Sequence, residues 1–419
     1  MAPDTNFARA VTFAQDLVRL PSPSGAEQDV AERIVAEMKA LHFDDVWTDP
    51  VGNVVGRIRG RGAGPSLMLA GHMDVVAAGE PAEWRYPPFA GAVAGGALHG
   101  RGAVDVKGPF ALQLHAAARF VGTRPDGDLY VAATVFEEEG GAGMAYLMSE
   151  GTVRPAGIVL AEATGGDLCI GHRGRAEVVV RMHGRSAHAS LREHGVNALS
   201  LVPPVLALLD EYDRGLPEIA ELGRATITPT SIATPTQSHN VVPEQVEIVA
   251  DCRPLPGSSA ARIAAELQRL FDDRLGEPSV LAVPNTTRQR AYTGHTREFT
   301  ICSPAFALPP THAFVRRARA AIGAATGVVP ATRTWRFSTD GGHSCGTYGI
   351  PTIGYAPGDE ALAHTNRECL DLAQARAVFD AYPALIAALQ RETAPADQAP
   401  AWTPSVGERP VTRALEPRS

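Results

Sequence analysis

Leu67-Met68-Leu69-Ala70-Gly71-His72-Met73-Asp74 is the stretch that decides the fold. Four consecutive apolar residues run into a histidine and an aspartate. A run without polar alternation suits a strand of a parallel sheet, buried on both faces. The arrangement recurs along the chain. Leu129-Tyr130-Val131-Ala132-Ala133-Thr134-Val135 leads to Glu137-Glu138-Glu139-Gly140, and Ile158-Val159-Leu160-Ala161 leads to Glu162. Pro351-Thr352-Ile353-Gly354-Tyr355-Ala356 leads, after a short loop, to His364, and Asp105 closes the glycine-rich Gly100-Arg101-Gly102-Ala103-Val104. In open α/β sheets, ligands bind outside the carboxyl ends of the strands. These segments can therefore bring two histidines and several carboxylates into one cleft. That donor mix suits zinc or a similar divalent metal.

Outward from this stretch, helices and strands alternate. Helices are expected from about 5 to 20, stopped by Pro21 and Pro23, from 26 to 41 and from 107 to 120, and strands at 54–58, 67–70, 129–135 and 158–161. Alternation of this kind indicates an α/β domain with a mainly parallel sheet. The pattern changes near Arg175. A strand at 177–182, a helix at 197–212 that Pro203-Pro204 must kink or restart, strands at 225–232 and 244–250, a helix at 259–271 and a strand at 280–283 follow. This β-α-β-β-α-β order reads as a ferredoxin-like α+β insert. After Cys302 the α/β pattern resumes, with helices at 314–325 and 372–391. The expected organisation is a catalytic domain from 1–174 and 302–393, an inserted domain from 175–301, and a tail at 394–419 whose Pro- and Ala-rich composition reads as disordered.

The 419 residues exceed one ordinary core, so two domains are the default. A hydrophobic fraction of 45% and a charged fraction of 20% are those of a globular protein. A net charge of −8 argues against a general nucleic-acid or anionic-membrane surface. No apolar run reaches the length of a membrane span, and the N-terminus lacks a basic start and an apolar core. The cysteines, Cys169, Cys252, Cys302, Cys345 and Cys369, are scattered and odd in number. A reduced, cytoplasmic setting is expected.

Each candidate residue has two readings. His72 and Asp74, two apart, face the same way on an extended segment. His72 then binds metal through one ring nitrogen while Asp74 accepts from the other, or Asp74 is a solvated strand end. The carboxylate of Asp105 either bridges two metals or caps the helix that starts near Lys107. Glu137, Glu138 and Glu139 repel one another and need solvent or a cation. One of them can ligate metal while its neighbour addresses water, or all three form an exposed turn. Glu162 is a ligand or a capping carboxylate, and His364 a last ligand or a solvated loop residue.

Taken in order, these motifs together with Gly184-Arg185-Ser186-Ala187-His188-Ala189-Ser190, Asn240-Val241-Val242-Pro243 and Asp251-Cys252-Arg253-Pro254-Leu255-Pro256-Gly257 resemble the M20 family of metallopeptidases and deacylases. The family includes acetylornithine deacetylase, succinyl-diaminopimelate desuccinylase, aminoacylases and glutamate-releasing carboxypeptidases. The resemblance covers roughly Thr5 to Thr393. Gly171-His172-Arg173-Gly174-Arg175, with Phe337-Ser338-Thr339 and Gly349-Ile350-Pro351, resembles the YgeY-type branch most.

The resemblance implies a zinc-hydrolase catalytic domain with an inserted lid and dimerisation domain. It implies two divalent ions, zinc first and cobalt or manganese as alternatives. His72 and Glu162 would hold one, Glu139 and His364 the other, and Asp105 would bridge them. Asp74 would orient His72. Glu138 would be the general base that takes a proton from water and passes it to the leaving amine. His188 would reach the partner subunit's site and stabilise the oxyanion, Asn240 would contact oxyanion or substrate, and Arg253 would receive the substrate carboxylate bidentately. Two departures stand out. The acidic run begins with Glu137 where the family more often has Asp, which lets the assignment of the base slip by one residue. Ala161-Glu162-Ala163-Thr164 replaces Gly-Glu-Pro-Thr.

The implied function is a metal-dependent amidohydrolase of N-acyl amino acids or short peptides with a free carboxylate, acting as a homodimer without nucleic acid or membrane. An N-carbamoyl amino acid hydrolase uses the same chemistry on a ureido carbonyl. A non-catalytic binding protein derived from the family would have lost a ligand or the base. A serine hydrolase is disfavoured by the absence of G-x-S-x-G, and a dinucleotide enzyme by the absence of G-x-G-x-x-G between strand and helix.

Overall fold

Leu67–His72 is buried at every position and lies inside a nine-stranded sheet. The computed structural model describes residues 5–150, 153–276 and 279–391; the tail expected at 394–419 lies outside them. In this sheet Leu69 stands opposite Val131 on one side and Val159 on the other, both in parallel register. Thr352–Gly354 extends the parallel centre by pairing with Ile158–Leu160. Antiparallel strands flank it: Val54–Ile58 beside Leu129–Thr134, and Leu168–His172 beside Thr352–Gly354. The carboxyl ends of the parallel strands therefore point to one side of the sheet.

The helix Lys107–Ala118 shows why a stripe of apolar residues is not always visible. Almost all of it is buried, because it packs against both the N-terminal helix Thr5–Val18 and the C-terminal helix Leu372–Leu389. A helix covered all round needs no polar face. Burial of Phe110, Leu112 and Leu114 contributes about 1.5–3 kcal/mol each.

The insert is a four-stranded antiparallel sheet in the order Thr226–Ala233, Gln245–Arg253, Arg175–His183, Val280–Pro284, with Cys302–Ser303 pairing at its start. The helices Val202–Arg214 and Ala260–Leu275 belong to its own core, separate from that of the large sheet. The two prolines after Val202 fall in the first turn, where a missing N–H is harmless, so the helix restarts there after a short 3₁₀ turn, Ala198–Leu201. Sequence alone did not separate one piece. The hairpin Thr286–Arg290 and Thr296–Thr300 lies within the stretch assigned to the insert, yet it packs on the catalytic domain. Ala291 and Phe299 join that domain's core, Tyr292 Oη donates to the Gly52 carbonyl at 2.8 Å, and Thr293 Oγ1 donates to that of Pro50 at 2.6 Å.

Candidate active site

Four strand ends and one turn converge. His72 is the last residue of its strand, and the strand has no room for a side chain just before it. A Cβ on Gly71 would lie 2.9 Å from Ala161 Cβ and 3.1 Å from Val106 Cγ2. His72 Nε2 is 3.0 Å from Asp105 Oδ1 and 3.6 Å from Glu162 Oε1. On the other side, His364 Nε2 is 3.1 Å from Asp105 Oδ2 and 3.1 Å from Glu138 Oε1. Asp105 thus offers one carboxylate oxygen to each histidine. Donor atoms of His72, Glu137 and Glu162 lie within 4.8 Å of one another, as do those of His72, Asp105 and Glu138.

The acidic run departs from the expected arrangement. Glu137 and Glu138 enter the cluster, whereas Glu139 is exposed and turned away from it. The reason is a tight turn. Phe136 has φ +56°, and Gly140 and Gly141 follow with φ +104° and +79°. The Gly140 N–H donates to the Glu137 carbonyl at 2.9 Å, and the Gly141 N–H to that of Phe136 at 2.8 Å. Asp74 fixes the near side. Its Oδ1 accepts the Glu137 N–H at 3.1 Å, and its Oδ2 accepts the Glu138 N–H at 3.2 Å and the Ser24 hydroxyl at 2.7 Å. On the far side Gln289, from the hairpin, donates to the Glu139 carbonyl at 3.3 Å. The turn thus sets Glu138, where Glu139 was expected, beside His364 and Asp105, and sets Glu137 beside His72 and Glu162.

Asp74 differs in a second way. His72 Nδ1 hydrogen-bonds the backbone carbonyl of Asp74 at 2.8 Å, while the carboxylate is 3.6 Å away. The ring is oriented by the residue expected, through its main chain. The side chain is spent on the acidic turn.

The charges explain what the cluster needs. Burial works against the His72 imidazolium, but Asp105, Glu162 and Glu137 together hold its pKa well above the usual value. Burial pushes the Glu137 and Glu162 carboxyls well above the usual range, and neighbouring carboxylates add to this. Glu138 is also raised by burial. Burial acts to raise Asp105 too, yet hydrogen bonds from His364 and His72 pull it below the ordinary value. Asp105 and Glu138 raise His364 to about 10. Carboxylates exceed histidines here, so the buried cluster concentrates negative charge that needs a positive partner. A divalent cation meets the same demand, and the imidazole–carboxylate donors fit one.

The loop around Asp340 closes the floor. Asp340 Oδ2 accepts the Thr134 hydroxyl at 2.6 Å, and burial raises its pKa to about 6. His172, held neutral by burial with a pKa of about 4, accepts the Thr339 N–H at 3.0 Å. His343, lowered likewise to about 4, donates to the Gly140 carbonyl at 2.8 Å. His343 braces the acidic turn through Gly140, and Asp340 holds the end of the strand that leads into it through Thr134. Ser24, on Asp74, carried no signal in the sequence.

The insert residues stand apart from the cluster in the single chain. His188 is exposed, and its Nδ1 accepts the Ser190 hydroxyl at 2.7 Å. Asn240 is brought beside it by the pairing of Ala187–His188 with Val241–Val242. Its Oδ1 accepts the Ser238 hydroxyl at 2.6 Å. Arg253 forms a two-pronged pair with Asp251, at 2.7 and 3.2 Å.

Residues 68–388 match the family model of peptidase family M20/M25/M40. The chain belongs to that family. It is a hydrolase of amide bonds, built on the M20 fold. It is 31% identical over 360 residues to the YgeY protein of Escherichia coli (strain K12), covering 85% of this chain and 88% of that one. It is 34% identical over 358 residues to the succinyl-diaminopimelate desuccinylase of Methylobacterium sp. (strain 4-46), covering 80% and 84%. Among solved structures, the Bacillus subtilis YxeP protein, a dinuclear metal binding peptidase from the M20 family, superposes with a TM-score of 0.63 at 17% identity, covering 92% and 98%. That likeness speaks to the fold. Among the described residues no helix is long and apolar enough to cross a membrane.

Proposed function

We propose that this M20 hydrolase is a two-metal amidohydrolase of N-acyl amino acids or short peptides that carry a free carboxylate. The observation that carries the reading is Asp105, whose two oxygens face His72 and His364 at 3.0 and 3.1 Å. His72 and Glu162 would hold one ion, Glu138 and His364 the other, with Asp105 shared. Zinc is the first choice, with cobalt or manganese as alternatives. Bound there, divalent ions supply positive charge that polarises the scissile carbonyl and eases deprotonation of water.

The chain's own groups do the rest. Glu137, aimed into the cluster by the Asp74-capped turn, takes the proton from water and delivers it to the leaving nitrogen. Arg253 offers a guanidinium fork for the substrate carboxylate, and reception requires exchange with Asp251, which occupies the fork in the single chain. His188 and Asn240 complete the oxyanion contacts from the partner of a homodimer. Support for the dimer comes from the insert's outer strand, Thr226–Ala233, which leaves Ile232 54% exposed at an open sheet edge. The desuccinylase relative favours acyl groups on the substrate amine.

The test is metal content by mass spectrometry together with activity on N-acetyl, N-succinyl, N-carbamoyl and dipeptide substrates. Two ions per chain and chelator-sensitive hydrolysis of a carboxylate-bearing amide are expected. One ion per chain at full activity, or turnover confined to ureido substrates, refutes the reading.

A further inference from the structure

Glu368 lies four residues after His364 and is 1% exposed. Its Oε1 accepts the Val104 N–H at 2.9 Å and the Asp105 N–H at 3.1 Å. Its Oε2 accepts Arg101 Nη1 at 2.6 Å, and its carbonyl accepts the Gly100 N–H at 3.2 Å. Arg101 is itself buried, with its guanidinium 5.2 Å from the centre of the Trp84 ring. One residue, through its carboxylate and its carbonyl, therefore gathers the main chain of the Gly100–Asp105 turn and the one cation within it.

Stability alone is a weak reason for this arrangement. Desolvating a carboxylate and a guanidinium offsets most of their attraction, and apolar replacements are often as stable. The arrangement does accomplish something an apolar pair would not. The segments bearing Asp105 and His364 are remote in sequence and meet through a short ladder, Cys369–Asp371 against Ala97–His99. Glu368 sits at the end of that ladder and converts it into a fixed position for the Asp105 main chain. The side chain of Asp105 then has one oxygen left to face His364.

We propose that Glu368 is a positioning residue for the half-site made by Asp105, Glu138 and His364, acting through the Asp105 backbone N–H. The inference rests on the two-metal reading above. It assigns the hydrogen-bond acceptor of Glu368 to metal affinity and leaves its charge pairing with Arg101 to packing.

The test compares full-length variants dialysed free of metal and titrated with Zn²⁺, with bound zinc measured at each free concentration. Wild type should bind two ions; if it binds one, the two-metal reading fails first and this inference with it. Glu368→Ala removes the acceptor and should weaken the second zinc about 10–100-fold, the usual effect of losing a partner behind a ligand, with the first within about 3-fold. Glu368→Gln keeps an acceptor oxygen and should restore most of the second site. Arg101→Gln removes the ion pair and keeps the acceptor, so both zinc ions should stay within about 3-fold. Equal loss in Arg101→Gln and Glu368→Ala, or parallel loss of both ions, shows a merely structural pair and overturns the proposal. Should Glu368→Ala not fold, the charge-balanced double variant Arg101→Gln with Glu368→Gln decides. Two-site binding supports the inference, and loss of the second zinc overturns it.

Discussion

Glu137→Gln, Glu138→Gln and Glu139→Gln should separate three roles that adjacent glutamates share only in name. Glu137 faces His72 and Glu162, within 4.8 Å of their donor atoms, but it is not the glutamate that meets His364. The amide of Glu137→Gln can still fill its space and leaves Asp74 bonded to the same backbone N–H. It cannot carry a proton. Loss of a general base typically lowers kcat about 10²–10⁴-fold, or about 2.7–5.4 kcal/mol of barrier, with both metals retained. Glu138→Gln replaces a charged oxygen 3.1 Å from His364 and should lower zinc occupancy from two ions toward one. Glu139 is exposed, so Glu139→Gln should keep kcat/KM within about 2-fold, as surface changes do. The assay is steady-state hydrolysis of one active N-acyl substrate alongside zinc per chain on the same preparations. Loss of zinc in Glu139→Gln with full occupancy in Glu138→Gln would refute the turn geometry. Normal turnover in Glu137→Gln would remove Glu137 as the base.

Three further outcomes are expected. Asp74→Asn offers one acceptor to two backbone N–H groups. It should lower kcat about 10-fold or more and destabilise the fold by about 1–3 kcal/mol, read from activity and urea melts. Glu37 is held down to about 2, mainly by His115, from an unfolded value of 4.5. A depressed carboxyl contributes stability that is present above pH 4.5 and lost as pH falls toward 2, so wild type should lose more stability than His115→Gln between pH 6 and 3. Mixing His188→Ala with Glu137→Gln under proven subunit exchange should restore about a quarter of wild-type activity, because half the dimers are mixed and each has one intact site. No recovery refutes action across the dimer.

Strand ends were legible because burial on both faces leaves an uninterrupted apolar run, and such a run has to stop where the chain meets the cleft. That logic anticipated that His72, Glu162 and the acidic run meet at the strand ends, as they do in the structure. It also anticipated the insert, since its strands Arg175–His183 and Gln245–Arg253 carry apolar residues toward a core of their own. The hairpin at 286–300 escaped it. Its buried face is Thr287, Gln289, Arg297 and Phe299, and three of these four residues are polar or charged, so no hydrophobic alternation announces a strand. The directions of the side chains in Glu137-Glu138-Glu139 escaped it for a different reason. Alternation along an extended strand presumes ordinary backbone angles, and Phe136 has φ +56°. Unlike Gly, Asn or Asp, a phenylalanine carries no sequence signal for a positive φ.

The same turn shows how the chain spends its polar groups. Asp74 orients His72 through a carbonyl, which any residue at that position supplies. Its carboxylate is thereby free to accept two consecutive N–H groups, one on each oxygen, which the single acceptor oxygen of Asn could not match. A turn capped at Glu137 and Glu138 must present those two side chains to the cleft and send the third to solvent. Which glutamates face the cleft therefore follows from hydrogen bonds made by a residue one strand away, and the acidic run supplies only the candidates.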